Sequence, residues 1–307
     1  MPDRPAARGR HGRGGRAAGA AQAAPDLPEG PVRIATGTAE VRRSPDDPRS
    51  VTLYVNGVPS SHLDLDDPTW LEFEYMQHMA AIIAQTTDTT LDAVHLGAAG
   101  CALPRWLDAV RPGSHQVAVD VDAVLLEHVR RWFALPRSPR LRLRPGEARE
   151  VLAALPAASA DVVVRDVFAP DTTPAHLTTS EFLAEVVRVL RPGGLYLANV
   201  ADRPPLAVAR AEVATVRAAL DDALLVAEPG QLRGRRYGNL VVGGRAPGGP
   251  AAAEGRRGLA RRLRSLPVPA ALLEDDELAA FAGTVPPLRD VAPEVAGPDD
   301  DGDPDAA

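Results

Sequence analysis

Residues 94–107 read "VHLGAAGCALPRWL", and the reading of this stretch decides the fold of the chain. Ala93 to Leu96 is an apolar run of strand length, and Gly97 and Gly100 make the turn that follows. Pro104 then marks the first turn of a helix, where its missing N–H does no harm. Small side chains at Gly97, Ala98, Ala99 and Gly100 let the backbone approach a ligand closely. The glycine spacing is not that of the dinucleotide fingerprint. By itself the stretch is therefore compatible with a nucleotide-binding turn and with a plain strand-to-helix connection.

The carboxylates further along the chain bear on that choice. "VAVDVD" (117–122) ends a second strand at Asp120, twenty residues after Gly100, where an acid holds a ribose diol in doubly wound nucleotide-binding folds. Asp120 could instead cap the next helix; the division that uses both acids gives the cap to Asp122 and the ribose to Asp120. Glu147, in "PGEAREVL" (145–152), opens a helix, where the dipole favours a carboxylate. It reads as a cap or as a ligand on the adenine side of the same cleft. Asp166, in "DVVVRDVFAP" (161–170), stands at the carboxyl end of an almost wholly apolar strand. Catalysis or substrate binding is the stronger reading there, a turn role the weaker.

From Leu91 onward, short apolar runs ("LDAVHLG", "HQVAVDV", "LRLRPG", "DVVVRDV", "GGLYLANV", "NLVVGG") alternate with helical candidates such as "DAVLLEHVRRWF", "EAREVLAAL" and "SEFLAEVVRVL". Strands apolar enough to be buried on both faces, separated by helices, predict an α/β fold. The expectation is a Rossmann-like, doubly wound, mainly parallel sheet over residues 69–245, with ligands outside the carboxyl ends of its strands. Ahead of it, residues 31–68 contain "VTLYVNGVPSSHLDL", whose Asn56-Gly57 pair favours a tight turn and predicts a small antiparallel β-hairpin domain. Residues 1–30 are rich in Arg, Gly and Ala with little to bury, and read as a disordered tail. Periodicity fades after "NLVVGGRAPGGPAAAEG", so residues 246–307 are expected to form a weakly structured appendix with an acidic disordered end. Within it, "GLARRLRSL" (258–266) reads as a short basic surface helix.

Composition excludes several classes. The chain has 307 residues, 45% of them hydrophobic, enough for a full core. The net charge is -7, but five aspartates lie in "PDDDGDPDAA" at the end, so the remainder is near balance and gives no nucleic-acid footprint. There is no lysine among the 34 basic residues, hence no Walker-type lysine and no lysine Schiff base. The single Cys101 cannot form an internal disulfide, and no Cys/His spacing suits a structural zinc. No run reaches the ~18 apolar residues of a membrane span, and no apolar h-region follows the N-terminal arginines, so the cytoplasm is the expected compartment and no membrane partner is expected. His95 reads as a core histidine, and His176 as packing at a helix entry.

The order of these motifs resembles the spermidine synthase-like polyamine aminopropyltransferases, which share the class I fold of S-adenosylmethionine-dependent methyltransferases. The resemblance runs from about Val51 to Val242: "LYVNGVPSSHLDLDD", "LEFEYMQHM", "LGAAGCALPRWL", "VAVDVDAVLLEHVRRWF", "PGEAREVL", "DVVVRDVFAP" and "HLTTSEFLAEVVRVLRPGGLYLANV" are similar to successive family segments. It implies an enzyme using decarboxylated S-adenosylmethionine and a small amine, without a metal, and a homo-oligomer joined through the hairpin domain. It also implies that Gly97 and Gly100 belong to the co-substrate loop, that Asp120 holds the ribose hydroxyls and Glu147 the adenine amine. Asp166 would orient and deprotonate the attacking amine, and Tyr75 would line the groove between the two domains.

The chain departs from the family pattern at four places. Ala99 stands where the loop usually has an acid, Met76 and Gln77 where a histidine and a glutamate follow the tyrosine, and Ala169 where a second aspartate follows the first. These groups mainly serve the cationic tail of the amine, so the acceptor stays open. Two rival readings remain: a methyltransferase using S-adenosylmethionine on a small molecule, and a non-catalytic nucleoside-binding relative.

Overall fold

The computed structural model describes residues 27–86, 89–169, 172–249 and 255–291. Most of the expected N-terminal tail and the acidic end lie outside the described residues. Four strands come first: β1 (Val32–Ile34), β2 (Gly37–Ser44), β3 (Asp47–Val55) and β4 (Val58–Asp64). They form an antiparallel sheet in that order. Asn56 and Gly57 both have positive φ (51° and 79°) between the paired Val55 and Val58, as a two-residue hairpin turn of matching twist requires.

The remaining elements in chain order are α1 (Glu74–Ile83), β5 (Asp92–Leu96), α2 (Ala102–Val110), β6 (His115–Asp120), α3 (Ala123–Trp132), β7 (Leu141–Pro145), α4 (Ala148–Ala153) and β8 (Ala160–Arg165). There follow α5 (Ser180–Val189), β9 (Leu190–Asp202), α6 (Ala207–Ala219), β10 (Asp221–Ala227), α7 (Pro229–Leu232), β11 (Gly238–Arg245), α8 (Gly255–Arg264), β12 (Ala271–Glu274) and α9 (Asp275–Ala282). Their sheet has the order β12-β10-β11-β9-β8-β5-β6-β7. The five strands from β9 to β7 are parallel, and β11, β10 and β12 join antiparallel, so the sheet is mixed.

Strand alternation sorts the core into two layers. Val162, Val164, Leu195, Leu197 and Val241 face α1, α2, α3, α8 and the small sheet. Val163, Tyr196, Ala198, Leu240 and Val242 face α4, α5, α6 and α9. Because both faces are covered, the strands read as continuous apolar runs.

Residues 255–291 correct the expectation of a weakly structured appendix. β12 pairs with β10 from Leu224↔Glu274 to Ala227↔Ala271. The basic stretch "GLARRLRSL" buries Leu259 and Leu263 in the layer that contains α1. Further on, the Leu288 carbonyl accepts from the Ser180 amide (2.9 Å) and hydroxyl (3.0 Å). Asp290 takes both guanidinium nitrogens of Arg149 (2.9 and 2.7 Å) and the Thr179 hydroxyl (2.7 Å). Leu259 and Leu263 stand at helical spacing, but the surface they dock on is built by distant residues and leaves no mark in the segment itself.

His95 and His78 sit in the core of the α/β part. His95 Nε2 pairs with Gln116 Oε1 (3.0 Å), whose amide nitrogen donates to the Pro104 carbonyl (3.0 Å). His78 in α1 is buried with neither ring nitrogen partnered among the described residues. Burial lowers the pKa of each to about 4. Between pH 6.5 and 4 the unfolded chain binds these protons and the folded chain does not, so stability is lost as the pH drops through that window. Each histidine removes about 3 kcal/mol over the full range. Urea denaturation at pH 7 and pH 5 should show a loss that His95→Gln and His78→Leu each reduce.

Candidate active site

Register assembles the site. Leu96, Val119, Arg165 and Ala198 lie side by side across β6, β5, β8 and β9. The next residue in each strand direction, namely Asp120, Gly97, Asp166 and Asn199, forms a row at the carboxyl edge. By alternation, Asp120, Asp166 and Asn199 are on the α1 face, whereas Arg165 is on the other. Strand order reverses between β5 and β8, so Gly97 and Asp166 flank the topological switch point, where open α/β sheets bind ligands.

Asp166 is the centre of the row. The Tyr75 hydroxyl, on the second residue of α1, donates to its Oδ2 (2.9 Å), and Asn199 Nδ2 donates to its Oδ1 (2.9 Å). Burial raises the Asp166 pKa above the ordinary carboxylate value, opposed by those two hydrogen bonds and by the nearby Arg165 charge. Burial and the facing carboxylate push the Tyr75 phenol well above its usual value, which keeps it a neutral donor. Asn199 was not expected from sequence. Its signal is the one that marks Asp166, a polar residue at the end of the apolar run "LYLA".

Gly97 holds the loop against this carboxylate. Its φ is +87°, its amide donates to the Val119 carbonyl (3.0 Å), and the Asp166 amide donates to Leu96 (2.8 Å). A Cβ at Gly97 would run into the Asp166 carbonyl, which is backbone and cannot swing away. Gly97→Ala is expected to displace the loop, with ~1–2 kcal/mol of strain from the left-handed backbone alone. A lower thermal midpoint together with weaker adenosyl binding in calorimetry checks this.

Gly100 faces elsewhere. Its amide donates to the Ser61 hydroxyl of β4 (2.9 Å), and a Cβ there would crowd Ser61. The residue therefore joins the loop to the small sheet and offers no free donor to a ligand. Asp120 accepts the Ala99 amide on Oδ2 (3.1 Å) and the Asp122 amide on Oδ1 (3.0 Å). Burial raises its pKa against those bonds. Asp122 caps α3 through the Leu125 amide (2.8 Å), as the sequence suggests, and also holds Thr36 of the small sheet (2.7 and 2.8 Å).

Glu147 caps α4 through the Arg149 (2.7 Å) and Glu150 (2.9 Å) amides, and its other oxygen meets His176 Nε2 (2.9 Å). Burial acts to raise its pKa, but His176 and the two amides hold it below the usual carboxylate value. Cys101, buried and with φ +57°, precedes α2; burial pushes its thiol up to about 12, so it stays protonated and inert.

Arginine placement is as informative. Arg105, in the first turn of α2, reaches the Asp64 carbonyl (3.2 Å). Arg165 is fully buried and bonds Glu212 of α6, the Tyr196 hydroxyl (3.2 Å) and Thr173 (3.0 Å) in the loop after Asp166. Of the positions that depart from the expected pattern, Met76 is buried in the core and Gln77 donates to the Leu71 carbonyl (2.8 Å). Ala169 has no charge to offer.

Comparison with known proteins agrees with this architecture. A family model described as "Methyltransferase domain" matches residues 94–198. The crystal structure of a probable spermidine synthase from Corynebacterium glutamicum is 34% identical and superposes with a TM-score of 0.81, covering 88% of this chain and 99% of that one. Polyamine aminopropyltransferases from Vibrio vulnificus (32% identical over 106 residues) and Chromobacterium violaceum (28% over 158) also match. The matched segments cover 34% and 49% of this chain and span only 36% and 57% of those curated relatives. Among the described residues, no helix is long and apolar enough to cross a membrane. With nearly the whole of a 34%-identical relative matched in fold, the chain belongs to the spermidine synthase-like family of the class I S-adenosylmethionine-dependent methyltransferase superfamily.

Proposed function

We propose that this protein transfers the aminopropyl group of decarboxylated S-adenosylmethionine to the nitrogen of a small amine. One observation carries the reading: a desolvated carboxylate, Asp166, is clamped by Tyr75 and Asn199 at the switch point beside the Gly97 loop. An amine arrives protonated and has no lone pair, so a positioned base must take a proton from it first. Tyr75 and Asn199 fix the plane of that base. Holding the two reactants in line supplies most of the remaining acceleration.

The donor set fits an adenosyl group. A carboxylate offers about four acceptor sites, so Asp120, which holds the Ala99 and Asp122 amides with that of Ala98 nearby, keeps room for a ribose hydroxyl. Residues 97–99 present backbone with little side chain. When bound, the co-substrate supplies an electrophilic carbon beside a sulfonium leaving group. Arg165 is engaged with Glu212 on the other face of the sheet and Arg105 donates to the Asp64 carbonyl, which favours the decarboxylated donor, since a cofactor carboxylate calls for a cation of its own. An adenine contact by Glu147 would require its pair with His176 to open.

The test incubates the protein with decarboxylated S-adenosylmethionine and a panel of mono- and diamines, with S-adenosylmethionine in parallel, and reads products by mass spectrometry. Methylthioadenosine formed only with the decarboxylated donor plus an amine supports the proposal and identifies the acceptor. S-adenosylhomocysteine in the parallel arm would replace it with methyl transfer. Saturable adenosyl binding without turnover, lost in Asp120→Ala, would leave a binding protein.

A further inference from the structure

Asn199 has one feature that holding Asp166 does not explain. Its Nδ2 donates to Asp166, but its Oδ1 is buried and has no partner among the described residues. Buried polar atoms are nearly always paired, so an orphan beside a candidate base calls for a reason. The amide cannot turn over to relieve it, because that would set Oδ1 against the oxygen of an ionised carboxylate. The free acceptor belongs to the same amide whose Nδ2 lies 2.9 Å from Asp166 Oδ1, so it stays beside the carboxylate.

We infer that the acceptor amine is held between two groups, the Asp166 carboxylate and the Asn199 side-chain carbonyl. The inference rests on the aminopropyl-transfer reading. An ammonium entering the site gives one proton to Asp166. The resulting neutral amine keeps two N–H groups and one lone pair. Donation of one N–H to Asn199 Oδ1 fixes the nitrogen so that the lone pair is free to attack. The new C–N bond forms as the C–S bond breaks, the bonding pair leaves with sulfur as a neutral thioether, and the product is a secondary ammonium. Asn199 thereby positions the base through Nδ2 and touches the substrate through Oδ1. Uncharged Met76, Gln77 and Ala169 leave this amide as a polar acceptor available on the α1 face of β9.

The test uses the full chain with Asn199→Leu, which keeps the volume and removes both amide functions, and Asn199→Ser, which keeps an acceptor too short to reach Asp166. Carbon-13 carboxyl titration of Asp166 follows the base without substrate, and kinetics follow the amine. In Asn199→Leu, the Asp166 midpoint and the acid limb of kcat/KM should both rise by about one pH unit on losing a donor to the ionised form. The KM for the amine should rise about tenfold while the KM for the adenosyl donor stays unchanged. Asn199→Ser should show the same raised midpoint and serves if the leucine variant does not fold. A wild-type midpoint and wild-type amine KM, with only thermal stability lowered, would overturn the inference. A shifted midpoint in a protein that never transfers aminopropyl groups would overturn the aminopropyl-transfer reading and the substrate contact, leaving only the hold on Asp166.

Discussion

Asp166→Asn is expected to lower kcat for amine transfer by about 10²–10⁴-fold, the usual worth of a positioned base. Adenosyl binding measured by calorimetry should stay close to wild type, because Asp120 and the Gly97 loop are untouched. The replacement is isosteric but cannot accept from both neighbours as a carboxylate does. Tyr75 and Asn199 each point a donor at this side chain, and one of them must now face an NH₂ group. The deficit should shrink as pH rises towards the free amine's own pKa, about 10, since an amine that is already neutral needs no base. In the wild type, activity should fall on the acid side above the ordinary carboxylate range, because burial holds Asp166 high. A variant as fast as wild type at pH 7 would remove Asp166 from the chemistry.

Glu212→Ala should destabilise the fold by about 3–5 kcal/mol, the cost of stranding one partner of a buried ion pair. Arg165 has no exposed surface, and Glu212 is its one carboxylate partner among the described residues. Burial works against the guanidinium's charge, but Glu212 and Tyr196 hold its pKa above the usual value, so it cannot escape by losing a proton. The double replacement Arg165→Met with Glu212→Leu should recover most of that loss, because apolar residues of similar volume need no partner. It should still impair turnover: Arg165 bonds Thr173, in the loop that follows Asp166. Urea denaturation at pH 7 gives the stabilities, and the transfer assay gives the activity. An unchanged midpoint in Glu212→Ala would show that the pair contributes nothing net.

These two residues separate the kinds of information a sequence holds. The place of Asp166 at the carboxyl edge was legible because one polar residue ends an apolar strand. The edge position of Asp120 was legible for the same reason, and Asp122 as a cap from its place before α3. Tyr75 came only from resemblance, since nothing local in "LEFEYMQHM" shows that α1 will bring its hydroxyl to Asp166, 91 residues away. Gly100 was misjudged in part: a small residue in a ligand loop looks the same whether its missing side chain makes room for a ligand or for Ser61.

Taken alone, the chain determined the elements of local rhythm. These are the short apolar runs that need burial on two faces, the Asn56-Gly57 hairpin turn, the proline at the start of α2, and the carboxylates at the strand ends. Tertiary structure alone decided the three antiparallel strands of the sheet, the docking of residues 255–291, the Arg165–Glu212 pair and the place of Asn199 beside Asp166. The physical reason is range. Periodicity and capping act over one or two turns of chain and leave a mark in composition. Register between distant strands is set by packing summed over the whole core, and leaves no local mark on the residues it brings together.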